Sequence, residues 1–231
     1  MIRLALETAT DFCSVAVARD GRVVGQAAAT AVHQHASRLT LLISEALAEA
    51  KVSLSALDEL ILSDGPGSYT SLRVGAATAK GMCLALPNLA FAVVPTLASL
   101  AAACDTGGVD RILAVLDSRK GEVYGQIFSA DALLPESEVM NIRLTDAKWR
   151  GNLLDGAGLG RIAVCGPGQH RLREELDAGD NAFVFAAPAR AEAAQLLNAA
   201  VRGFARRPEL AAYEPFYRNA PFVTRSKKPG L

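Results

Sequence analysis

Gly65-Pro66-Gly67-Ser68-Tyr69-Thr70-Ser71-Leu72-Arg73-Val74-Gly75 is the stretch on which the reading of this 231-residue chain turns. Upstream, residues 59–63 contain the apolar run Leu60-Ile61-Leu62 and read as a short buried strand. Downstream, residues 71–86 hold no proline and read as a helix, with the hydroxyl of Thr70 or Ser71 as its cap. Two glycines let the backbone turn sharply between strand and helix. Such a joint can cradle a phosphate, because free N–H groups and the helix dipole favour an anion. The residues here argue for a structural turn instead. No Lys follows as a Walker loop requires, Thr70 takes the third position of a G-x-G-x-x-G pattern, and Pro66 removes an N–H.

The helix after the joint is short of side-chain bulk. Ser71, Gly75, Ala79 and Cys83 recur every fourth residue, and Ala76, Ala77 and Gly81 add to the small surface. Glycine inside a helix costs roughly 0.5–1 kcal/mol relative to alanine, so close approach of another backbone is the natural compensation. That backbone can belong to this domain's own sheet or to a helix of a partner chain, and the helix alone leaves both readings open.

Size and composition bound the answer. With 51% hydrophobic residues the chain can build one large or two small domains. The start reaches Glu7 too soon for a secretory signal, and apolar runs such as residues 97–103 are too short to span a bilayer. Cys13, Cys83, Cys104 and Cys165 form no C-x-x-C pair, which fits reduced thiols in the cytoplasm better than zinc or disulfides. A formal net charge of zero gives no general attraction to nucleic acid or membrane. The distribution is uneven, however. From Arg202 onward, Arg202, Arg206, Arg207, Arg218, Arg225, Lys227 and Lys228 are opposed only by Glu209 and Glu214, and residues 206–231 read as a basic tail, mobile beyond Glu214-Pro215-Phe216-Tyr217-Arg218.

Working outward, residues 2–6, 13–18 and 22–28 read as three antiparallel strands, with Asp20-Gly21 a strong hairpin signal. A helix over residues 35–51 carries Leu39, Leu42, Ile43, Ala46, Leu47 and Ala50 on one face. A strand at 89–94 and a helix from Pro95-Thr96 to residue 103 follow the joint, and residues 105–108 mark a boundary. The second half then repeats the first. Residues 111–116 and 122–128 read as strands around the turn Asp117-Ser118-Arg119-Lys120-Gly121, and a strand at 161–165 leads into a second Gly166-Pro167-Gly168 and a helix over 171–176. Residues 131–160 read as loop-rich, so the second copy is reduced, and residues 189–204 read as a closing helix.

Candidate chemistry is thin. Glu7 and Asp117 hold equivalent places in the two copies and could together hold a metal or activate a water. The simpler reading is that each fixes its own turn by accepting backbone bonds. His33 and His35 are two residues apart, a spacing that points them to different sides of a helix, and His170 stands alone. Ser68, Thr70 and Ser71 have no adjacent base to activate them as nucleophiles.

Leu4-Ala5-Leu6-Glu7-Thr8-Ala9-Thr10 with Cys13-Ser14-Val15-Ala16, the Gly65–Thr70 block with Leu72-Arg73-Val74-Gly75, Gly121-Glu122-Val123-Tyr124, and Glu214-Pro215-Phe216-Tyr217-Arg218-Asn219 together resemble the TsaB (YeaZ) family across nearly the whole chain. The resemblance implies an α/β ASKHA fold of two related domains, here residues 1–104 and a reduced 109–205, followed by the tail 206–231. It implies a non-catalytic scaffold, without cofactor or metal of its own, that pairs with the paralogue TsaD and is joined by the ATPase TsaE to make N6-threonylcarbamoyladenosine in tRNAs that read codons starting with A. TsaD binds metal through an H-x-x-x-H helix motif; the corresponding His33-Gln34-His35-Ala36-Ser37 lacks the second histidine. In the family the pairing uses helices of the first domain. Carried over, this implies an interface built on His35, Leu39, Leu42, Ser71, Arg73, Gly75, Ala76, Ala79, Lys80 and Cys83, with a homodimer through the same face when TsaD is absent. Two residues depart from the family pattern: Glu7 stands where most relatives carry Asp, and Ser71 where they usually carry Gly. The rival reading is a stand-alone ASKHA-type enzyme, metallopeptidase-like or nucleotide-dependent.

Overall fold

Alternating side chains divide the strands between layers. The protein is described by a computed structural model over residues 1–29, 31–146, 148–154, 160–175 and 182–219. The first sheet contains β1 (Ile2–Glu7), β2 (Ser14–Arg19), β3 (Arg22–Ala28), β4 (Glu59–Ser63) and β5 (Ala90–Val94), in the order β3-β2-β1-β4-β5. The hairpin between β2 and β3 closes on Asp20 and Gly21, both at positive φ (51° and 81°), the pair of conformations a tight two-residue turn demands. β1 and β2 run antiparallel, as do β2 and β3; β4 lies parallel to β1, and β5 parallel to β4.

The second sheet repeats this plan. It contains β6 (Arg111–Asp117), β7 (Glu122–Ser129), β8 (Met140–Arg143), β9 (Ile162–Cys165) and β10 (Phe183–Phe185), in the order β8-β7-β6-β9-β10 with the same pattern of strand directions. The duplication expected from the sequence is therefore present strand for strand, as the ASKHA architecture requires. The stretch 131–160 is less irregular than expected, because β8 and α4 (Trp149–Leu154) lie within it.

The helices fill three layers. α1 (His35–Ala50) and α2 (Tyr69–Ala85) cover the outer face of the first sheet, where Leu4, Leu6, Val15, Val17, Leu60 and Leu62 meet Leu39, Leu42, Ala46 and Ala79. α4 and α5 (Gln169–Glu175) cover the outer face of the second, where Leu113, Val115, Val123 and Val164 meet Trp149, Leu153 and Leu172. Between the sheets lie α3 (Thr96–Ala102) and α6 (Ala193–Ala199). The inner face of the first sheet is small, with Ala5, Ala16, Ala18, Ile61 and Ala92, and this lets the central helices pack close. The second sheet contributes Ile112, Ala114, Leu116 and Phe128 to the same core.

Two expectations about the end of the chain are corrected. The closing helix was expected over 189–204; α6 begins at Ala193, after Glu192, whose N–H donates to Gln195 Oε1 (3.1 Å), and a wider turn over Ala200–Phe204 ends it. α6 also packs on β1, β2 and β4 of the first sheet, and its Ala193 N–H donates to the buried Ser14 Oγ (3.0 Å), so the unit 109–205 is not separate from 1–104. Residues 206–219, read as the first part of the basic tail, are held against the first sheet, and the stretch read as mobile lies outside the described residues. Arg206 exchanges backbone hydrogen bonds with Val93 on the exposed edge of β5 (2.8 and 2.9 Å), and the segment then runs back across the first domain. Arg225, Lys227 and Lys228 lie outside the described residues.

Candidate partner surface and interdomain cleft

The Gly-Pro-Gly joint is a packing device. Gly65 sits at φ 102°, and a Cβ on Gly67 would overlap the carbonyl oxygen of Ala9, so the joint lies directly on the turn after β1. Its polar groups are spent within the chain. The Gly65 N–H donates to Thr96 Oγ1 (3.2 Å), and the Ser68 N–H to Ala9 O (2.7 Å). The helix cap is Ser68, not Thr70 or Ser71 as expected: its Oγ accepts from the Ser71 N–H at 3.5 Å and from the Ser71 hydroxyl at 2.9 Å. These contacts fit the structural reading of the turn.

The same close packing decides where the expected interface residues point. His35, Leu39 and Leu42 of α1, and Ser71, Gly75, Ala76, Ala79 and Cys83 of α2, are buried against the chain's own sheet. A Cβ on Gly75 would overlap Thr8 Oγ1 and come within 3.0 Å of Leu62, so the small residues admit β1 and β4 beneath the helix. This corrects the expectation that these eight side chains face a partner. Of the ten, only Arg73 is exposed and Lys80 half-exposed. Arg73 stacks over the Tyr69 ring (4.2 Å to the centroid), and Lys80 Nζ donates to Ala211 O (3.1 Å). The outer faces of the two helices instead present Leu41 (49% exposed) and Leu84 (76% exposed), and the small residues Ala36, Ala77 and Gly81 are exposed as well.

The paired acids behave differently from each other. Glu7 is wholly buried, and its Oε1 accepts from the Ala9 N–H at 2.6 Å. Burial pushes its pKa up to about 7, with the Ala9 N–H and the Ser63 hydroxyl opposing the shift. Asp117 is 38% exposed and bound to Arg171 Nε at 2.6 Å, with His170 Nε2 at 3.9 Å. Each is engaged by its own half, as turn-fixing residues would be. Among the described residues, no group of three or more His, Cys, Asp or Glu side chains is placed to hold a metal ion. His33 precedes α1 at φ 59°, and Ser37 turns its hydroxyl back to Gln34 O (3.2 Å). His35 lies under the turn at Thr10 and Phe12, where burial, followed by the charge of His33, lowers its pKa.

Between the two acidic turns lies a cleft of about 320 Å³, bordered by Thr10, Ser68, Tyr69, Asp117, Tyr124 and Tyr217. Sequence reasoning missed how its rim is closed. Asp64, at the end of β4, is buried, accepts from Tyr213 Oη (3.1 Å) and forms an ion pair with Arg206, while its carbonyl accepts from the Phe216 N–H (2.7 Å). Burial raises the pKa of Asp64, and Arg206 counters it. Beyond Phe216, Tyr217 packs on Tyr69 (centroids 4.7 Å apart), and Asn219 Nδ2 donates to Tyr124 Oη (3.1 Å). The available signal was the block Glu214-Pro215-Phe216-Tyr217-Arg218-Asn219, read above as part of the family resemblance and of the tail but not as a wall of the cleft.

Comparison with known proteins places this architecture. The family model described as TsaD, tRNA N6-adenosine threonylcarbamoyltransferase, matches residues 22–131. The tRNA threonylcarbamoyladenosine biosynthesis protein TsaB of Escherichia coli is 34% identical over 130 residues, covering 55% of this chain and 55% of that protein. The protein of the same name from Haemophilus influenzae is 33% identical over 121 residues, covering 52% and 51%. The chain thus matches about half the length of these curated relatives. The solved structure of YeaZ from Pseudomonas aeruginosa is 26% identical, with a TM-score of 0.72 over 94% of this chain and 99% of that one. With the duplicated sheets, the joint and the closing block all in place, the chain is similar to TsaB (YeaZ) proteins, in sequence over about half its length and in fold over nearly all of it.

Proposed function

We propose that the chain is a non-catalytic subunit that pairs with a TsaD-type tRNA N6-adenosine threonylcarbamoyltransferase through the outer faces of α1 and α2. The observation that carries this reading is that Leu41 of α1 and Leu84 of α2 are exposed on the outer faces of the two helices, with Ala77 and Gly81 exposed on α2 in the turns before Leu84. Residues 22–131 match the TsaD family model, so the partner offers an equivalent helix pair, and two related faces can pack about a near two-fold axis. The inward stripe of small residues on α2 supports the interface from beneath by fixing the helix on its sheet. TsaE joins this pair, tRNA meets the assembled complex in the cytoplasm, and two copies of the chain pair through the same face when TsaD is absent. Among the described residues no helix is long and apolar enough to cross a membrane.

Co-purification with TsaD of the same organism, followed by a threonylcarbamoylation assay on tRNA, tests the reading. Leu41→Asp combined with Leu84→Asp should weaken pairing at least tenfold, about 1.4 kcal/mol, while the stability of the isolated chain stays within about 0.5 kcal/mol per site. Undiminished pairing in the double variant overturns it. The rival, a stand-alone ASKHA-type enzyme, draws on the cleft that Asp117 lines, with Glu7 buried behind its wall. It requires nucleotide or divalent-metal binding by the isolated chain, and calorimetry with ATP, Mg²⁺ or Mn²⁺ decides it.

A further inference from the structure

Residues 206–219 begin on one half of the chain and end on the other. Their start is tied to the first half. Arg206 exchanges backbone hydrogen bonds with Val93 and pairs through its side chain with Asp64, while Arg207 Nη2 donates to Glu59 Oε1 (2.6 Å), so two guanidinium groups grip the two ends of β4. Tyr213 is buried, meets Phe91 edge-on (centroids 5.0 Å apart) and donates to Asp64. The middle is seated on the joint and on α2. Lys80 reaches Ala211 O, a Cβ on Gly65 would come within 2.5 Å of Phe216 O, and Tyr217 packs on Tyr69. The end then crosses to the second half. Arg218 Nε donates to Val139 O (2.9 Å), just before β8, and Asn219 Nδ2 donates to Tyr124 Oη of β7 (3.1 Å).

These last two residues stand between two hollows. Both line the interdomain cleft, and both line a groove of about 530 Å³ bordered by Met140, Ile142, Trp149 and Leu153. We propose that residues 206–219 are a clasp across the cleft: anchored on the first half, they fix how far the cleft opens, and Arg218 and Asn219 keep it separate from the groove beside β8. The halves also meet through the core around α3 and α6, and helices packed in this way can slide by small amounts, so the link at the rim limits the opening. The two ends of the clasp are unequal. The first-half end combines backbone pairing, two ion pairs and a buried phenol, whereas the second-half end holds by two hydrogen bonds. Release therefore occurs at Val139 and Tyr124. It leaves the segment attached to β4 and β5 and joins cleft and groove into one channel.

The test is hydroxyl-radical footprinting of the full chain, wild type against Tyr124→Phe combined with Arg218→Met. The two changes remove both crossing hydrogen bonds and keep side-chain bulk in place, so the walls of the cleft and groove are not simply cut away. Leu116 in the cleft and Trp149 in the groove are buried and serve as reporters. Labelling of both should rise at least about twofold in the double variant. Tyr213, under the first-half end, and Phe128, in the central core, should stay protected. Unchanged labelling of Leu116 and Trp149 overturns the proposal, because the crossing would then not set the opening. Loss of Tyr213 protection together with theirs also overturns it, because the segment would then be held or lost as one piece. Labelling of Phe128 at the same rate as Leu116 would show general unfolding rather than an opened cleft, and equally overturns it.

Discussion

The outer face of the first sheet is covered by helices of 16 and 17 residues, that of the second, among the described residues, by stretches of helix of 6 and 7. Strand order and strand direction are the same in both halves, so the difference lies in what has been laid over a common frame. Long helices bury one face and still leave a broad second face exposed, as α1 does at Leu41 and α2 at Leu84. This contrast is what the proposed pairing through α1 and α2 rests on. It recurs at equivalent residues, where the first half is packed more tightly: a wholly buried Glu7 against a half-open Asp117, and Gly67 jammed on Ala9 against Gly168 set 2.9 Å from Leu116.

Equivalent substitutions in the two halves can break this comparison. Gly67→Ala drives a methyl group into overlap with the Ala9 carbonyl oxygen and should cost about 3–5 kcal/mol in chemical denaturation, whereas Gly168→Ala, whose methyl group would stop at 2.9 Å from the Leu116 backbone, should cost about 1–3 kcal/mol. Equal costs would mean that the two joints are packed alike. Gly75→Leu belongs with the first of these, so it unfolds the chain rather than reporting on a partner.

The acids provide the next contrast. Glu7 has its folded-state pKa raised from 4.5 to about 7, so the folded state holds its proton more tightly than the unfolded state. Its contribution to stability is therefore fully present below pH 4.5 and is lost as pH rises to about 7, by roughly 3 kcal/mol at 1.36 kcal/mol per pKa unit. Denaturation measured across that range should show the decline, and Glu7→Gln should flatten it. A decline that persists in the variant would point to another group. Tyr213→Phe, which leaves Asp64 without its phenol donor, should cost about 1 kcal/mol and loosen residues 206–219 in hydrogen exchange. Asp117→Asn, at an ion pair more than a third exposed, should change stability by about 0–1 kcal/mol.

The sequence disclosed most where chemistry is local. Asp20-Gly21 announced its hairpin, the two Gly-Pro-Gly blocks announced their joints, and the repeated strand–acidic turn–strand pattern announced the duplication. It disclosed less where partners lie far apart along the chain. Alanine and glycine on α2 are indifferent to whether a sheet or another protein covers them, so periodicity alone could not orient that helix. Nothing around Ala193 marks it as a neighbour of Ser14, 179 positions away, because a small residue is read as small against any surface. Residues 206–219 looked like a tail because their composition is basic and polar. Among their anchors is a buried carboxylate, Asp64, whose burial depends on the completed fold. β8 is only four residues long, too short for alternation to stand out.

That Ala193 closes over Ser14 matters for how the protein is made. The alanine-lined face of the first sheet leaves the ribosome early, but the helix that covers it follows roughly ten seconds or more later at 5–20 residues per second. Until then the nascent first half carries a bare apolar face that α3 alone cannot shield. Its hold on the native arrangement comes from α6, so translation must run past Ala199 before the first strand is safely enclosed.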